Sequence, residues 1–423
     1  MSERSAAVER RGAGRGRARR PRTRRAEILE AAIDAFAHDG YHGTSMADIA
    51  VAVGVSPPAL YRHFRNKQEL LGQCLRVGLG ECAQRVEEAG RDDPAGAKVL
   101  AEVVRVGLEV RVLPRLWQLE FRHVSPADRS AVLRLAVRMV GYLRAAISAR
   151  RPNLTTADVE LLSWCVLSIA VSPSYHRAEL PAPVTARVLD AAVTAVVDVP
   201  LPATADTPAT RTTKAGNGGT ELDRALRTER ILAEAARLFS LHGYAAVGIE
   251  DIGAAVGITG PALYHHFSCK AEVLDHIVRR HDEWMGLLMA RALAEGQGAA
   301  GAMRSMLHGF AQLAVDDPDL LGITMSETRH LPEDAVRRYR QVRLDGIERW
   351  ARMLHAVRPE LPIPVARVLI RAVTTVIIES VRNPRLYIRA DLVDVLTAIG
   401  EAIEAAPVPL RKPGPLTATE ARK

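Results

Sequence analysis

Two short stretches of this chain carry side chains of the kinds that contact nucleic acids. They read PALYRHF at residues 58–64 and PALYHHF at residues 261–267, and a lysine follows each motif by three residues. Tyrosine, histidine and lysine donate hydrogen bonds that suit phosphate oxygens. The leucine and phenylalanine, four positions apart, share one face of a helix and should point inward. The spacing therefore predicts two short helices, each with an apolar inner face and a polar outer face.

The residues before the first motif predict the helices that position it. From Arg25 to His38 apolar residues recur at helical spacing, and Gly40 ends this helix. Either Thr44 or Ser45 caps a second helix that runs to about residue 53. If the cap is Ser45, the carboxylate of residue 48 completes a capping box.

A glycine-containing turn at residues 54–55 then leads to the third helix. Ser56 caps it, and Pro57 takes its first position, where a missing N–H costs nothing. A helix, such a turn and a second helix form a helix-turn-helix, whose second helix fits the major groove of DNA. The candidate DNA-contacting residues are Thr44, Ser45, Ser56, Pro57, Ala59, Tyr61, Arg62, His63 and Lys67 in the first copy, and Thr259, Gly260, Ala262, Tyr264, His265, His266 and Lys270 in the second.

The whole neighbourhood of the motif is duplicated. Residues 24–71 align with residues 227–274 at a constant offset of 203, and 21 of 48 positions are identical. A period near 200 residues is far too long for a solenoid repeat. It indicates two copies of a whole protein in one chain.

The repeat and the composition divide the chain into seven parts. Nearly all of the chain between the arm and the tail is predicted to be helical. The predicted parts are a disordered arginine-rich arm (1–25), a helix-turn-helix domain (26–72), a helical domain (73–198), a linker (199–222), a second helix-turn-helix domain (223–275), a second helical domain (276–406) and a flexible tail (407–423). The predicted fold class is all-α.

These motifs resemble the DNA-binding domain of TetR-type repressors, and the whole chain resembles the tandem, single-chain TetR-type regulators of actinobacteria. Some of those control lipid- or steroid-uptake and catabolic operons. The resemblance implies a ligand-binding helical domain after each DNA-binding domain, double-stranded operator DNA as partner, and ligand-released repression. It also implies a lipid-like effector, such as an acyl thioester or a steroid derivative. The lack of a secretory signal and the spacing of the four cysteines predict a cytoplasmic, nucleoid-associated protein, and no cofactor is predicted.

The helical domains should each surround an effector pocket, which is mostly apolar with a few placed polar groups. Tryptophan or methionine at helical spacing is more often plain core, so both readings stay open for these positions. The candidate pocket residues are Trp117, Glu120, Arg122, Trp164 and Tyr175 in the first copy, and Trp284, Met285, Met325, Glu327, Arg329 and Trp350 in the second.

Fusion of two copies predicts a covalent pseudo-dimer, since a two-fold dimer matches a palindromic operator. The last helices of the copies, at residues 157–171, 184–197, 365–381 and 392–403, should pair as a four-helix bundle. The recognition helices differ in sequence, which predicts an asymmetric operator. The 46.0 kDa monomer would be the operating unit; a higher oligomer stays open.

The second copy departs from the pattern. Val247 and Gly248 replace the threonine and serine of the first copy, which removes a capping hydroxyl worth about 1 kcal/mol. We expect weaker DNA binding there. The alternative is that only the first copy contacts DNA and the second is a scaffold or an effector- or protein-interaction module.

The charge, composition and motif content of the chain argue against other classes of protein. The net charge is +8, and residues 1–25 alone, with ten arginines and two glutamates, account for all of it. Such an arm follows phosphates or enters a minor groove, or it is a solubilising tail. No secretory signal, membrane span or metal-ligand spacing is predicted. No catalytic motif argues for an enzyme. A redox role for Cys269 and a protein-binding adaptor remain as rivals.

Overall fold

The computed structural model describes residues 24–176, 179–201, 221–294 and 298–409. Within these ranges the chain consists of α-helices, short 3-10 turns and loops, with no strand, which confirms the all-α prediction. The predicted arm falls almost entirely, and the linker and tail mostly, outside the described residues. We call residues 24–201 the first unit and residues 221–409 the second unit.

The first three helices of the first unit form a compact DNA-binding domain. They are α1 (Arg24–Gly43), α2 (Met46–Ala52) and α3 (Pro57–Tyr61). Gly40 has a φ of 73°, a conformation that glycine adopts without strain, and it interrupts α1 as the sequence predicted. Ile28, Phe36 and Ile49 are fully buried and join the helices into one core.

The rest of the first unit is a helical domain. Its helices are α4 (Lys67–Gly90), α5 (Ala97–Glu109), α6 (Val112–Glu120), α7 (Pro126–Arg150), α8 (Thr156–Val171) and α9 (Ala182–Asp198). Because α4 contacts both α1 and α7, one continuous helix crosses the predicted boundary at residue 72 and ties the two domains together.

The second unit repeats this order. Its helices are α10 (Glu221–His242), α11 (Ile249–Val256), α12 (Gly260–Leu263), α13 (Lys270–Ala294), α14 (Gly298–Asp316), α15 (Pro318–Ser326), α16 (Glu333–Val357), α17 (Ile363–Arg382), α18 (Pro384–Tyr387) and α19 (Leu392–Ala405). From α7 and α16 onward the helices of the two units correspond at an offset of 207.

The two units share one hydrophobic core. α17 packs against α8 and α9, and α19 packs against α9 and α17. Leu161 and Ile169 belong to the same buried cluster as Val373 and Ile399. At the edge of this contact Arg389 bonds Asp158 at 2.9 Å, and both side chains are nearly buried. The helical domains are therefore held together by apolar burial and by charge.

The stretch Thr156–Tyr175 is long and apolar enough to cross a membrane. In the structure 67% of that segment is buried among other helices. Its apolar surface is accounted for by the core that the two units share.

Candidate nucleic-acid interface and effector cavities

The recognition helix of the first unit, α3, is placed by α2 and by its own inner face. Ser45 accepts a hydrogen bond from the Asp48 amide at 3.1 Å, and the Asp48 carboxylate accepts one from the Ser45 amide at 3.1 Å. This is the predicted capping box. Leu60 and Phe64 are 0% and 1% exposed, so the inner face of α3 is fixed against the core.

The outer face of α3 carries most of the side chains predicted to contact DNA. Tyr61 is 51% exposed. Arg62 and His63 are also exposed, as are Ser56 and Pro57 at the start of the helix, whereas Ala59 is half-buried. The hydroxyl of Ser56 makes no capping hydrogen bond within α3. These groups lie where a helix-turn-helix presents its N-terminal residues to a major groove.

The second unit presents a similar but altered face. Tyr264 is 54% exposed, and His265 and Thr259 are exposed, with Ala262 half-buried. Two predictions need correction. Gly260 is buried, and the His266 ring lies 3.2 Å from the hydroxyl of Thr228 on α10, so its imidazole has a partner inside the protein.

Three predicted phosphate contacts have other partners. Thr44 is 3% exposed, and its hydroxyl donates to the Gly40 carbonyl at 2.8 Å, so the prediction that this hydroxyl faces DNA is corrected. The Lys67 ammonium donates to the Thr44 carbonyl at 2.8 Å and lies over the Tyr41 ring. Lys270 likewise donates to the carbonyls of Tyr244 and Val247, at 2.8 and 2.7 Å. Both lysines hold the loop after the first helix, since the freed carbonyls there need donors.

The two DNA-facing segments differ in charge. Residues 44–67 carry three basic and one acidic side chain, a net of +2, whereas residues 247–270 carry one basic and two acidic side chains, a net of −1. The added acid is Glu250, which stands where the first unit has Ala47. Its Cγ lies 3.4 Å from the position that a Cβ on Gly260 would take, at the start of α12. A carboxylate there repels phosphates.

We predict that Glu250→Ala increases the affinity for operator DNA by about 3- to 10-fold at low salt, with a smaller gain at high salt. The measurement is a titration by fluorescence anisotropy at several salt concentrations. Ala47→Glu is the matched control and should weaken binding. If Ala47→Glu weakens binding while Glu250→Ala changes nothing, the second unit does not touch DNA.

Two arginine–glutamate ion pairs connect the units reciprocally. Arg122 of the first unit donates to Glu327 of the second at 2.8 Å, and Arg329 donates to Glu120 at 2.5 Å. Both glutamates are fully buried. At the offset of 207, Glu120 and Arg122 correspond to Glu327 and Arg329. A two-fold relation between subunits produces matched contacts of this kind.

Each reciprocal ion pair touches the DNA-binding domain of a unit at the end of that unit's first helix. A Cβ on Gly243 would lie 2.2 Å from the Arg122 guanidinium, so any larger residue there would displace the guanidinium from this position. The Tyr244 amide donates to Glu327 at 3.1 Å. In the first unit, a Cβ on Gly40 would lie 3.0 Å from Arg329. Each arginine thus contacts the DNA-binding domain of the other unit.

Burial sets the protonation of the groups around these pairs. Burial favours a higher pKa for Glu327, but the hydrogen bond and charge of Arg122 lower its pKa below the usual value. His330 stacks on Tyr244, and burial lowers the pKa of His330. Burial also lowers the pKa of His123, which stacks on Tyr41, to about 4. At neutral pH the two glutamates therefore face arginines and uncharged imidazoles.

Two cavities occupy equivalent places in the two units. The larger, about 640 Å³, is lined by α6, α7 and α8, and Glu379 and Arg382 at the end of α17 border it. The smaller, about 130 Å³, is lined by α15, α16 and α17, and Ser172 and Tyr175 border it. Because Ser172 and Tyr175 correspond to Glu379 and Arg382 at the offset of 207, each cavity is bordered by the equivalent segment of the other unit.

The structure divides the predicted pocket residues into three groups. Trp117, Arg122, Trp164 and Tyr175 line the larger cavity, and Tyr175, Met285, Met325 and Trp350 line the smaller one. Glu120, Glu327 and Arg329 belong instead to the reciprocal ion pairs, so their assignment to a pocket is corrected. Trp284 is 46% exposed on α13, and its assignment is also wrong.

Three of the four cysteines differ from the fourth in exposure. Cys74, Cys82 and Cys165 are buried, and burial raises the pKa of Cys82 to about 11. Cys269 is exposed. Among the described residues no three metal-ligating side chains cluster.

Sequence reasoning missed the reciprocal ion pairs and the effect of Glu250 on the charge of the second DNA-facing segment. The repeated Glu-x-Arg-His pattern at residues 120–123 and 327–330 was the available signal for the first. A charged pair that recurs at the same depth in two copies of an apolar fold needs a buried partner. The signal for the charge of the second segment was the replacement of Ala47 in the first copy by Glu250 in the second.

Comparison with known proteins agrees with this architecture. A family described as "Bacterial regulatory proteins, tetR family" matches residues 28–74 and 231–277. The fatty acid metabolism regulator protein of Bacillus subtilis is 30% identical over 78 residues, 18% of this chain and 40% of that protein. The transcriptional activator FasR of Mycolicibacterium smegmatis is 40% identical over 98 residues, 22% of this chain and 45% of that protein. The chain thus spans less than half the length of either relative.

A crystal structure of a tetR-family regulatory protein from Rhodococcus RHA1 is similar to 42% of this chain and 98% of its own, at 22% identity and a TM-score of 0.38. The two matched segments identify two helix-turn-helix DNA-binding domains of this family in the chain. The chain belongs to the TetR family, in tandem form.

Proposed function

We propose that this protein is a transcriptional regulator that binds one operator as a covalent pseudo-dimer. One chain supplies both recognition helices, so the second contact forms at a local concentration set by geometry rather than by protein concentration. The observation that carries this proposal is the pair of reciprocal ion pairs, because a homodimer forms such contacts about its two-fold axis. The core shared by α8, α9, α17 and α19 supports the same arrangement.

We infer an operator with two unlike half-sites, about one helical turn or more apart. The recognition helices differ at Ser56 and Thr259, and at Arg62 and His265, so they favour different base edges. The charge of the two faces favours the first unit as the stronger contact. The further DNA contacts that we propose are Tyr61 and His63 in the first unit and Tyr264 in the second.

A genome-wide pull-down with the purified chain, followed by footprinting of the recovered fragments, tests this proposal. We expect an asymmetric footprint with one half-site protected at lower protein concentration than the other. A strict palindrome bound by two chains would contradict the pseudo-dimer. Equal retention of all fragments against bulk competitor DNA would contradict DNA recognition itself.

We propose that the regulator is a repressor released by a lipid-like effector, such as an acyl thioester or a steroid derivative, in the cytoplasm. The B. subtilis relative, named for fatty acid metabolism, supports this ligand class. Arg122 links the cavity to the DNA-binding domain, since it lines the larger cavity and also bonds Glu327. A ligand that moves Arg122 would loosen the second DNA-binding domain, and DNA is released if the ligand prefers that state.

A second candidate function is that only the first unit contacts DNA and the second is a scaffold. The net negative charge of residues 247–270 and the buried Gly260 favour it. The Glu250→Ala and Ala47→Glu variants described above distinguish this candidate function from the pseudo-dimer.

A further inference from the structure

The two cavities are equivalent in position but differ in chemistry. At the offset of 207, three residues that line the larger cavity, Trp117, Ala136 and Trp164, are replaced in the smaller cavity by Thr324, Arg343 and Arg371. A homodimer cannot show such a difference, because both of its subunits have one sequence. Because the two copies are parts of one chain, the residues that line one cavity can differ from those that line the other.

The larger cavity is built for an apolar body. Trp117, Leu133, Trp164 and Leu167 line it, and its volume is about 640 Å³. The side-chain amide nitrogen of Gln118 is buried at this wall and has no hydrogen-bond partner among the described residues. Arginines at the wall have partners within the protein: Arg122 with Glu327, Arg129 with the Arg122 carbonyl, Arg382 with Glu379 and Arg385 with Glu160. Among the described residues that line this cavity, the Gln118 amide nitrogen is therefore the one fully buried side-chain polar atom without a partner.

The smaller cavity combines an apolar wall with a charge. Phe310 and Trp350 meet edge to face beside it. Arg371 is paired with Glu179 at 2.7 Å, so its charge is compensated. Arg343 also lines this cavity. It is an exposed residue, and among the described residues no carboxylate lies within 4.0 Å of its guanidinium. A guanidinium is always charged and prefers a carboxylate, which it can bind through two hydrogen bonds.

The volume limits the size of the second ligand. About 130 Å³ is close to the ~150 Å³ of an engineered cavity that holds one benzene molecule. A ligand there has one ring, or a short branched chain, and one carboxylate that reaches Arg343.

We propose that the two units bind two chemically different ligands: the first a large, mainly apolar molecule with one hydrogen-bonding group, the second a small apolar carboxylic acid. This inference rests on the proposed effector role of the cavities and extends it. The chain would then integrate two signals, whereas a homodimer of identical subunits has two equal sites.

Sodium benzoate is the probe for the smaller cavity, with benzyl alcohol as the neutral match. Isothermal titration of the full chain should show benzoate binding at least about 10-fold tighter than benzyl alcohol. Arg343→Ala, which copies Ala136 of the first unit, should weaken benzoate binding by about 10-fold or more and leave benzyl alcohol unchanged. Equal affinity for the two probes, or benzoate binding unaffected by Arg343→Ala, would overturn the assignment.

Progesterone, an uncharged steroid, is the probe for the larger cavity. Its binding should be insensitive to Arg343→Ala and lost in Trp164→Arg, which copies the second unit. Because a buried arginine can unfold a domain, Gln118→Leu is a second variant that should weaken binding by about 5-fold. The melting temperature without ligand shows whether each variant is folded.

The proposal requires that both probes bind the same chain at the same time. Benzoate and progesterone should bind together, with additive increases in melting temperature, while competition or absence of binding by either probe would overturn it. These titrations contain no DNA. If both probes bind and neither changes operator affinity, the two sites stand and the ligand-release function fails.

Discussion

Arg62→Ala is expected to lower the affinity for the operator by about 10- to 100-fold, whereas the matched His265→Ala lowers it by less than about 3-fold. Arg62 is exposed on the outer face of α3. An arginine that bonds a guanine through both of its terminal nitrogens contributes about 1–3 kcal/mol of discrimination against other bases. The shorter imidazole of His265 makes one such bond at most, on a face with net negative charge.

Anisotropy titrations at one fixed salt concentration measure both losses. Arg62→Ala should also reduce discrimination between the natural first half-site and a base-substituted one, because the contact reads a base. Arg65, an exposed arginine that follows α3 and suits a phosphate contact, supplies the control: Arg65→Ala should weaken all sequences alike and lower the salt dependence. Equal losses for Arg62→Ala and His265→Ala would show that the units contribute equally, contrary to this account.

Glu404→Gln is expected to stabilise the protein by about 3 kcal/mol at pH 9 and to leave it almost unchanged at pH 5. Glu404 is 5% exposed, and its carboxyl accepts a hydrogen bond from the Trp350 indole at 2.9 Å. Burial raises the pKa of Glu404 to about 8; the Trp350 hydrogen bond opposes this rise, and the charge of Glu401 adds to it.

The sign of this pH dependence of stability follows from proton linkage. The folded state keeps the Glu404 proton to a higher pH than the unfolded state does, because its folded pKa is raised. The stability from this proton is complete below about pH 4.5 and is lost as the pH rises through about 8. Glutamine keeps the shape and has no proton to lose.

Chemical denaturation at pH 5, 7 and 9 measures the effect. Glu401→Gln, at a neighbouring partly exposed position, is the control and should change stability by less than about 1 kcal/mol at each pH. Parallel pH profiles for the wild type and Glu404→Gln would show that Glu404 ionises normally in the folded protein.

Local features were predictable from the sequence because their partners lie within one turn. The capping box of Ser45 and Asp48, the break at Gly40 and the buried Leu60 and Phe64 depend on residues three or four positions apart. Duplication made two of these assignments firmer, since the glycine recurs as Gly243 and the apolar pair recurs as Leu263 and Phe267.

Features that depend on distant residues were not predictable in the same way. Arg122 and Glu327 lie 205 residues apart, and their pairing follows only once the two units are packed together. Lysine suits phosphate oxygens, which favours a DNA contact for Lys67. In the structure its ammonium donates to the Thr44 carbonyl. Trp284 was assigned to a pocket on residue type alone, and the helix turns it outward.

We expect one chain to contact DNA at two places through two related domains. Analytical ultracentrifugation of the chain with its recovered operator measures the stoichiometry directly. The account predicts one 46.0 kDa chain on each duplex, and a weaker complex of the same stoichiometry when either half-site is scrambled. Two chains on one operator, or full affinity for a duplex with a single half-site, would contradict it.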